Sequence, residues 1–173
     1  GIIFQSQTAY VALRKLLVDG YLAAVISLPA GVFNPYSGVK TSILILDRAV
    51  AKASKHVAFF KVENDGFALG AQRKAVKGSN LAQVKMELAA WLQVARGGGG
   101  EELESNLGAA VERAQLADGG DYNLSGDRYT AKVAKGSSFP LLPFDEVCTL
   151  EYGRSLPQAA RIHGPYPVMG SNG

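Results

Sequence analysis

Leu22-Ala23-Ala24-Val25-Ile26-Ser27-Leu28, closed by Pro29, is a short and almost continuously apolar run with β-branched residues near its centre. Such a run fits a strand covered on both faces, because a strand with one wet face would alternate apolar and polar positions. Thr41-Ser42-Ile43-Leu44-Ile45-Leu46 is a second run of the same kind. The twelve residues between them, Pro29 to Lys40, carry Pro29, Gly31, Pro35 and Gly38 and show no helical period. A parallel crossover normally needs a helix, so the two runs read as an antiparallel pair joined by a long loop at the edge of a larger α/β sheet. Twelve irregular residues in that place are uncommon unless they carry a function.

Upstream, Gln7 to Asp19 places Ala9, Leu13, Leu16 and Leu17 on one stripe, with Gly20 positioned to end the turn. This predicts an amphipathic helix. Downstream, His56 to Val62 is a third strand candidate, stopped by the turn Asn64-Asp65-Gly66. Leu81, Val84, Leu88, Trp91, Leu92 and Ala95 recur at helical spacing over Asn80 to Ala95, with Ser79 or Asn80 as N-cap. A further helix is expected over Glu101 to Leu116, beyond the glycine run Gly97 to Gly100. From Ser137 onward five of the seven prolines fall in the last 37 residues, with a short helix candidate at Phe144 to Val147 and an extended Tyr166 to Met169. A boundary is expected between Lys132 and Ser138.

The 173 residues are 47% hydrophobic and only 19% charged, a balance that favours a packed chain over a disordered one. One cysteine, Cys148, excludes an intrachain disulfide and is expected to be a buried small residue. His56 and His163 are too far apart in sequence to make a local zinc spacing, so no metal is expected. No apolar run approaches the roughly 20 residues of a membrane span, and the expected location is the cytoplasm. Net charge is +3, yet residues 1–78 hold ten Lys and Arg against four Asp and Glu, while residues 79–173 hold eight against eleven. The front half can face a polyanion.

Complete catalytic sets are absent from the sequence. No glycine-rich phosphate loop, nucleophile elbow or histidine pair occurs, and Glu101, Glu102 and Glu104 have the spacing of a solvated helix start. The loop Val32-Phe33-Asn34-Pro35-Tyr36-Ser37-Gly38-Val39-Lys40-Thr41 sets two aromatics and a cation at a sheet end, where α/β ligand sites lie. An exposed aromatic there stacks a nucleobase; a buried one plugs the sheet.

These blocks resemble a family. Leu13-Arg14-Lys15-Leu16-Leu17, the run Ala24 to Leu46, Asn64-Asp65-Gly66-Phe67 with Arg73, and Tyr122-Asn123-Leu124-Ser125-Gly126-Asp127-Arg128-Tyr129 are similar, in this order, to the C-terminal part of the catalytic domain of type I restriction-modification adenine-N6 DNA methyltransferases. Leu142-Pro143-Phe144-Asp145-Glu146-Val147-Cys148, Tyr152 to Pro157 and Gly164 to Gly173 resemble the start of a specificity subunit's target-recognition domain. The resemblance implies an α/β class I, Rossmann-like methyltransferase sheet with antiparallel edge strands over 1–78, a helical connector over 79–134, and the start of an α+β recognition domain over 135–173.

In function, it implies a fragment of an S-adenosylmethionine-dependent enzyme whose cofactor and Pro-Pro catalytic motifs do not occur in this chain. Asn34-Pro35-Tyr36 lacks the second proline of that catalytic loop, so no catalytic residue is assigned. Phe33 takes the position that packs against a flipped adenine; Asn34, Pro35 and Tyr36 shape the pocket. Lys40, Arg154 and Ser155 are the implied DNA contacts. The implied partners are double-stranded DNA with a flipped adenine, and restriction and specificity subunits. A non-catalytic DNA- or protein-interaction module is the alternative. The strands are expected to expose apolar faces and one unpaired edge.

Overall fold

The computed structural model describes residues 1–130, 142–149 and 164. Contacts divide the chain into two units, Gly1–Val133 and Ala134–Gly173. In the first, helix α1 (Thr8–Gly20) leads into strand β1 (Leu22–Ser27), followed by β2 (Ser42–Leu46), α2 (Arg48–Ala53), β3 (His56–Lys61), α3 (Leu81–Arg96), β4 (Gly108–Glu112), α4 (Arg113–Ala117) and the short α5 (Asp127–Thr130). The sheet order is β2-β1-β3-β4. β1 pairs antiparallel with β2, through Ile26 opposite Ile43, as the helix-free connection predicts. It pairs parallel with β3, and β3 pairs antiparallel with β4.

Every residue of β1 is buried, and the alternation sorts side chains to the two faces. Ala24 and Ile26 of β1 with Ala58 and Phe60 of β3 pack against Val50 of α2 and Val84 and Trp91 of α3. Val25, Val57 and Phe59 point the other way, against Val18 of α1 and Leu116 of α4. Helices therefore cover both faces, the reason these strands tolerate no polar alternation.

Three local readings are corrected. Of the stripe Ala9, Leu13, Leu16 and Leu17 of α1, the first three face outward and Leu17 packs partly buried against the core; the fully buried positions are Arg14 and Val18. The Arg14 guanidinium, fully buried, donates to the carbonyls of Ile2 (2.8 Å), Gln5 (2.9 Å) and Asp121 (2.6 and 3.0 Å), so its polar bonds outweigh the apolar stripe in choosing the inner face.

Second, the helix expected over Glu101 to Leu116 is a strand followed by a single helical turn. Gly108 explains the switch. A Cβ there would lie 2.8 Å from the Phe59 carbonyl and from the Phe60 ring, so only glycine lets the chain approach β3 closely enough to pair. Residues 81–130 fall in the same compact unit as the sheet. The glycine run is the turn that leads there: Gly98 and Gly100 have positive φ, and the Gly100 carbonyl accepts from Trp91 Nε1 at 3.1 Å.

The third correction concerns the second unit. It contains the helix α6 (Phe144–Val147), as its sequence suggests, but Cys148, directly after that helix, is exposed rather than buried among the described residues. The expected extended stretch Tyr166 to Met169 lies outside the described residues. Among the described residues no helix is long and apolar enough to cross a membrane.

Candidate functional site

Ser27 of β1 pairs with Lys61 of β3 in parallel register. The loops that follow these strands, 28–41 and 62–80, therefore leave the sheet side by side at its carboxyl edge, the place where open α/β sheets put ligands.

The first loop is a set of tight turns. Asn34 N–H donates to the Gly31 carbonyl (3.0 Å), and Tyr36 and Ser37 N–H both donate to that of Phe33 (2.9 and 3.0 Å). The turns leave Phe33 half exposed, at 50%, and Tyr36 almost fully exposed, at 95%. Neither aromatic is a core plug. Pro35, joined to Asn34 by a cis bond, is exposed beside them.

Asn34 behaves differently from its neighbours. Its Nδ2 donates to the Leu69 carbonyl of the second loop at 2.6 Å, so its side chain braces one loop against the other. Gly31, at φ 86°, makes room for this contact: a Cβ there would meet Asn34 Nδ2 at 2.9 Å and the Leu69 carbonyl at 3.1 Å.

The second loop is held by a short antiparallel bridge, Phe67 opposite Ala75, and by side chains. Asn64 accepts from Gly66 N–H (2.8 Å) and donates to the Lys77 carbonyl (3.0 Å). Asp65 forms an ion pair with Arg73, both side chains mostly buried, and the Arg73 guanidinium lies 5.5 Å from the centre of the Phe67 ring. Arg73 itself sits at φ 44°, a left-handed conformation uncommon for a bulky residue.

Lys40, at the end of the first loop, is paired with Asp127 of α5, whose other carboxylate oxygen lies 3.7 Å from Lys61. The hydrogen bond from Lys40 leads in holding the Asp127 carboxyl below its ordinary value. Gly126 brings this helix close: a Cβ on it would fall 2.4 Å from Ser27 Oγ. Beside Lys40, a cavity of about 360 Å³ is lined by residues including Phe4, Ser27, Thr41 and Gly126. Thr41 Oγ1, one of its lining groups, is buried without a hydrogen-bond partner among the described residues.

The structure thus brings Phe33, Asn34, Pro35, Tyr36 and Lys40 to one edge, with Asn34 turned sideways. Arg154 and Ser155 lie outside the described residues. Sequence reading missed Lys61, Leu69 and Asp127. The contact from Lys40 to Asp127 spans 87 residues, and no periodicity marks such a pair; its only trace is that the Tyr122 to Tyr129 block stands out as a unit. Among the described residues no group of three His, Cys, Asp or Glu could hold a metal. The edge presents aromatic faces and cations, suited to stacking a planar group and attracting anions.

A family model described as N-6 DNA methylase matches residues 1–137. Two solved structures share the fold. One, from work on complex assembly and conformational transition of the type I R-M system, is 20% identical with a TM-score of 0.58, over 82% of this chain and 28% of that one. The other, the type I restriction-modification methyltransferase subunit from Streptococcus thermophilus, is 22% identical with a TM-score of 0.55, over 75% of this chain and 24% of that one. The chain therefore spans about a quarter of the length of either structure. Comparison with curated proteins finds no match.

Proposed function

The chain belongs to the N-6 DNA methylase family, and from that premise we propose that it is part of a type I adenine-N6 DNA methyltransferase, forming one wall of the pocket that receives a flipped adenine. The exocyclic amine of adenine cannot be reached inside a duplex, so the base must be extruded, and an extruded base needs an aromatic face to replace its lost stacking. The observation that carries this reading is Phe33, half exposed on a tightly turned loop at the carboxyl edge of the sheet. Tyr36 and Pro35 form the pocket rim in this reading, and Asn34 acts as a brace.

Other parts of the parent protein supply the S-adenosylmethionine pocket and the catalytic loop. The exposed apolar side chains Leu13 and Leu16 on α1 and Ile43 and Leu46 on β2 are where those parts pack. Lys40 approaches the DNA backbone, residues 135–173 begin a target-recognition domain in which Arg154 and Ser155 contact DNA, and the restriction and specificity subunits complete a cytoplasmic complex.

The test uses the parent protein and a duplex with 2-aminopurine at the methylated position, once methylation sequencing has given the site. In wild type, the flipped base should show a quenched, stacked population by time-resolved fluorescence. Phe33→Ala should shift it to the long, unstacked lifetime, and Phe33→Trp should restore quenching. Identical lifetimes in wild type and Phe33→Ala would remove Phe33 from the pocket.

A further inference from the structure

Residues 64–80 lie outside every role assigned so far. They form an irregular segment of the kind that persists in compact domains mainly for a function. Its conformation is over-determined. The N–H of Ala68 donates to the Lys74 carbonyl and that of Val76 to the Gly66 carbonyl, both at 2.8 Å, and Asn64 holds the Lys77 carbonyl. The backbones of Lys74 and Lys77 are therefore pinned while both residues are exposed.

Charge around the hairpin has a definite pattern. Asp65 is taken up by Arg73, and Asp127 by Lys40 and Lys61. Among the described residues neither Lys74 nor Lys77 has a carboxylate within ion-pair distance, a condition they share with Lys52, Lys55 and Lys85 on other elements; what sets them apart is their place on the loop beside Phe33. Two uncompensated cations thus stand on a rigid hairpin that Asn34 ties, through Leu69, to the loop carrying Phe33.

We propose that the 64–80 hairpin is a second DNA-contacting element, with Lys74 and Lys77 gripping backbone phosphates next to the flipped base; this rests on the reading of the parent as a DNA methyltransferase. Phosphate contacts fix register and orientation without reading sequence. A hairpin fastened to the base-binding loop converts that grip into placement of the loop over one nucleotide. A protein partner fits less well, since lysine is depleted in protein–protein interfaces and is a common phosphate ligand.

The test compares the parent protein with its Lys74→Ala/Lys77→Ala double variant for binding to duplex DNA between about 50 and 200 mM salt. Each phosphate contact adds about 0.9 to the steepness of log affinity against log salt. The double variant should bind more weakly at low salt, with a slope shallower by about 1.8 and by the same amount on unrelated sequences. Lys74→Arg/Lys77→Arg should restore the slope. Lys85→Ala, an exposed cation on α3, should leave the slope unchanged, which separates the hairpin's grip from a general loss of positive charge. An unchanged slope in the double variant overturns the inference and leaves the family reading intact. So does an unchanged slope accompanied by loss of assembly with a specificity subunit, which would make the hairpin a protein-docking surface. A wild-type parent that fails to bind duplex DNA overturns the inference together with the DNA methyltransferase reading on which it rests.

Discussion

The interior of the sheet and its carboxyl-edge loops are built by opposite means. In β1 and β3 the sequence is apolar, both faces are buried, and two arginines tie the surrounding chain together: Arg14 joins α1 to the carbonyls of Ile2, Gln5 and Asp121, and Arg113 reaches the strands through those of Leu22 and His56 besides Val18 and Ser54. The edge loops bury little. They keep their shape through local backbone turns and polar side-chain contacts such as Asn34 to Leu69 and Asp65 to Arg73, and they leave Phe33, Tyr36 and Phe67 in the open. Conformational stability and a ligand-ready surface are thus separated in space, with the rigid sheet positioning loops that contribute little to its stability.

That contrast can be broken most severely at Arg14. Arg14→Met keeps much of the volume but leaves the Ile2, Gln5 and Asp121 carbonyls without their donor, and should destabilise this body by about 3 kcal/mol. Denaturant unfolding of the parent protein, with hydrogen exchange localised to residues 1–20 and 118–125, would register it. Protection equal to wild type would mean that the buried guanidinium contributes little.

On the loop side, Asn34→Ala removes one hydrogen bond and should cost about 1 kcal/mol. Its effect should be local: faster amide exchange across residues 65–76, with β1 and β3 unchanged. Faster exchange in the strands as well would show that edge and interior are one cooperative unit.

The smallest effect belongs to Asp127. Its carboxyl is held below the ordinary value of 3.8, chiefly by Lys40, so its ionised form adds stability that is complete above that ordinary value and is lost as pH falls through the lower folded value. Both side chains are about half exposed, which limits the contribution to at most about 0.5 kcal/mol. Asp127→Asn should therefore lower stability at pH 7 by no more than that amount and flatten the acid limb of the stability profile below about pH 4. A loss of stability at pH 7 larger than that of Asn34→Ala would contradict the ordering.

Much of the interior is legible in the sequence: burial on two faces writes β1 and β3 as continuous apolar runs, and α3 follows from helical spacing, while β2 carries the same apolar pattern at an edge that stays partly exposed. The face of α1 is not legible, since a buried arginine inverts the rule that the apolar stripe turns inward. Nor is β4 legible, where Gly108 and the alanines beside it count equally as helix or strand until the partner strand is known. At the edge, the aromatics and Lys40 stand out by type and place. The Asn34–Leu69 brace and the Lys40–Asp127 pair join residues far apart in sequence, and only the folded chain brings them together.

The central claim is that Phe33 stacks the extruded adenine, and turnover tests it most directly. Methyl transfer by the parent protein carrying Phe33→Ala should fall about 10- to 100-fold, the worth of one base–aromatic stack, while its unfolding midpoint and S-adenosylmethionine affinity stay at wild-type values. Methyl transfer at the wild-type rate by a folded, cofactor-binding Phe33→Ala protein would contradict the account.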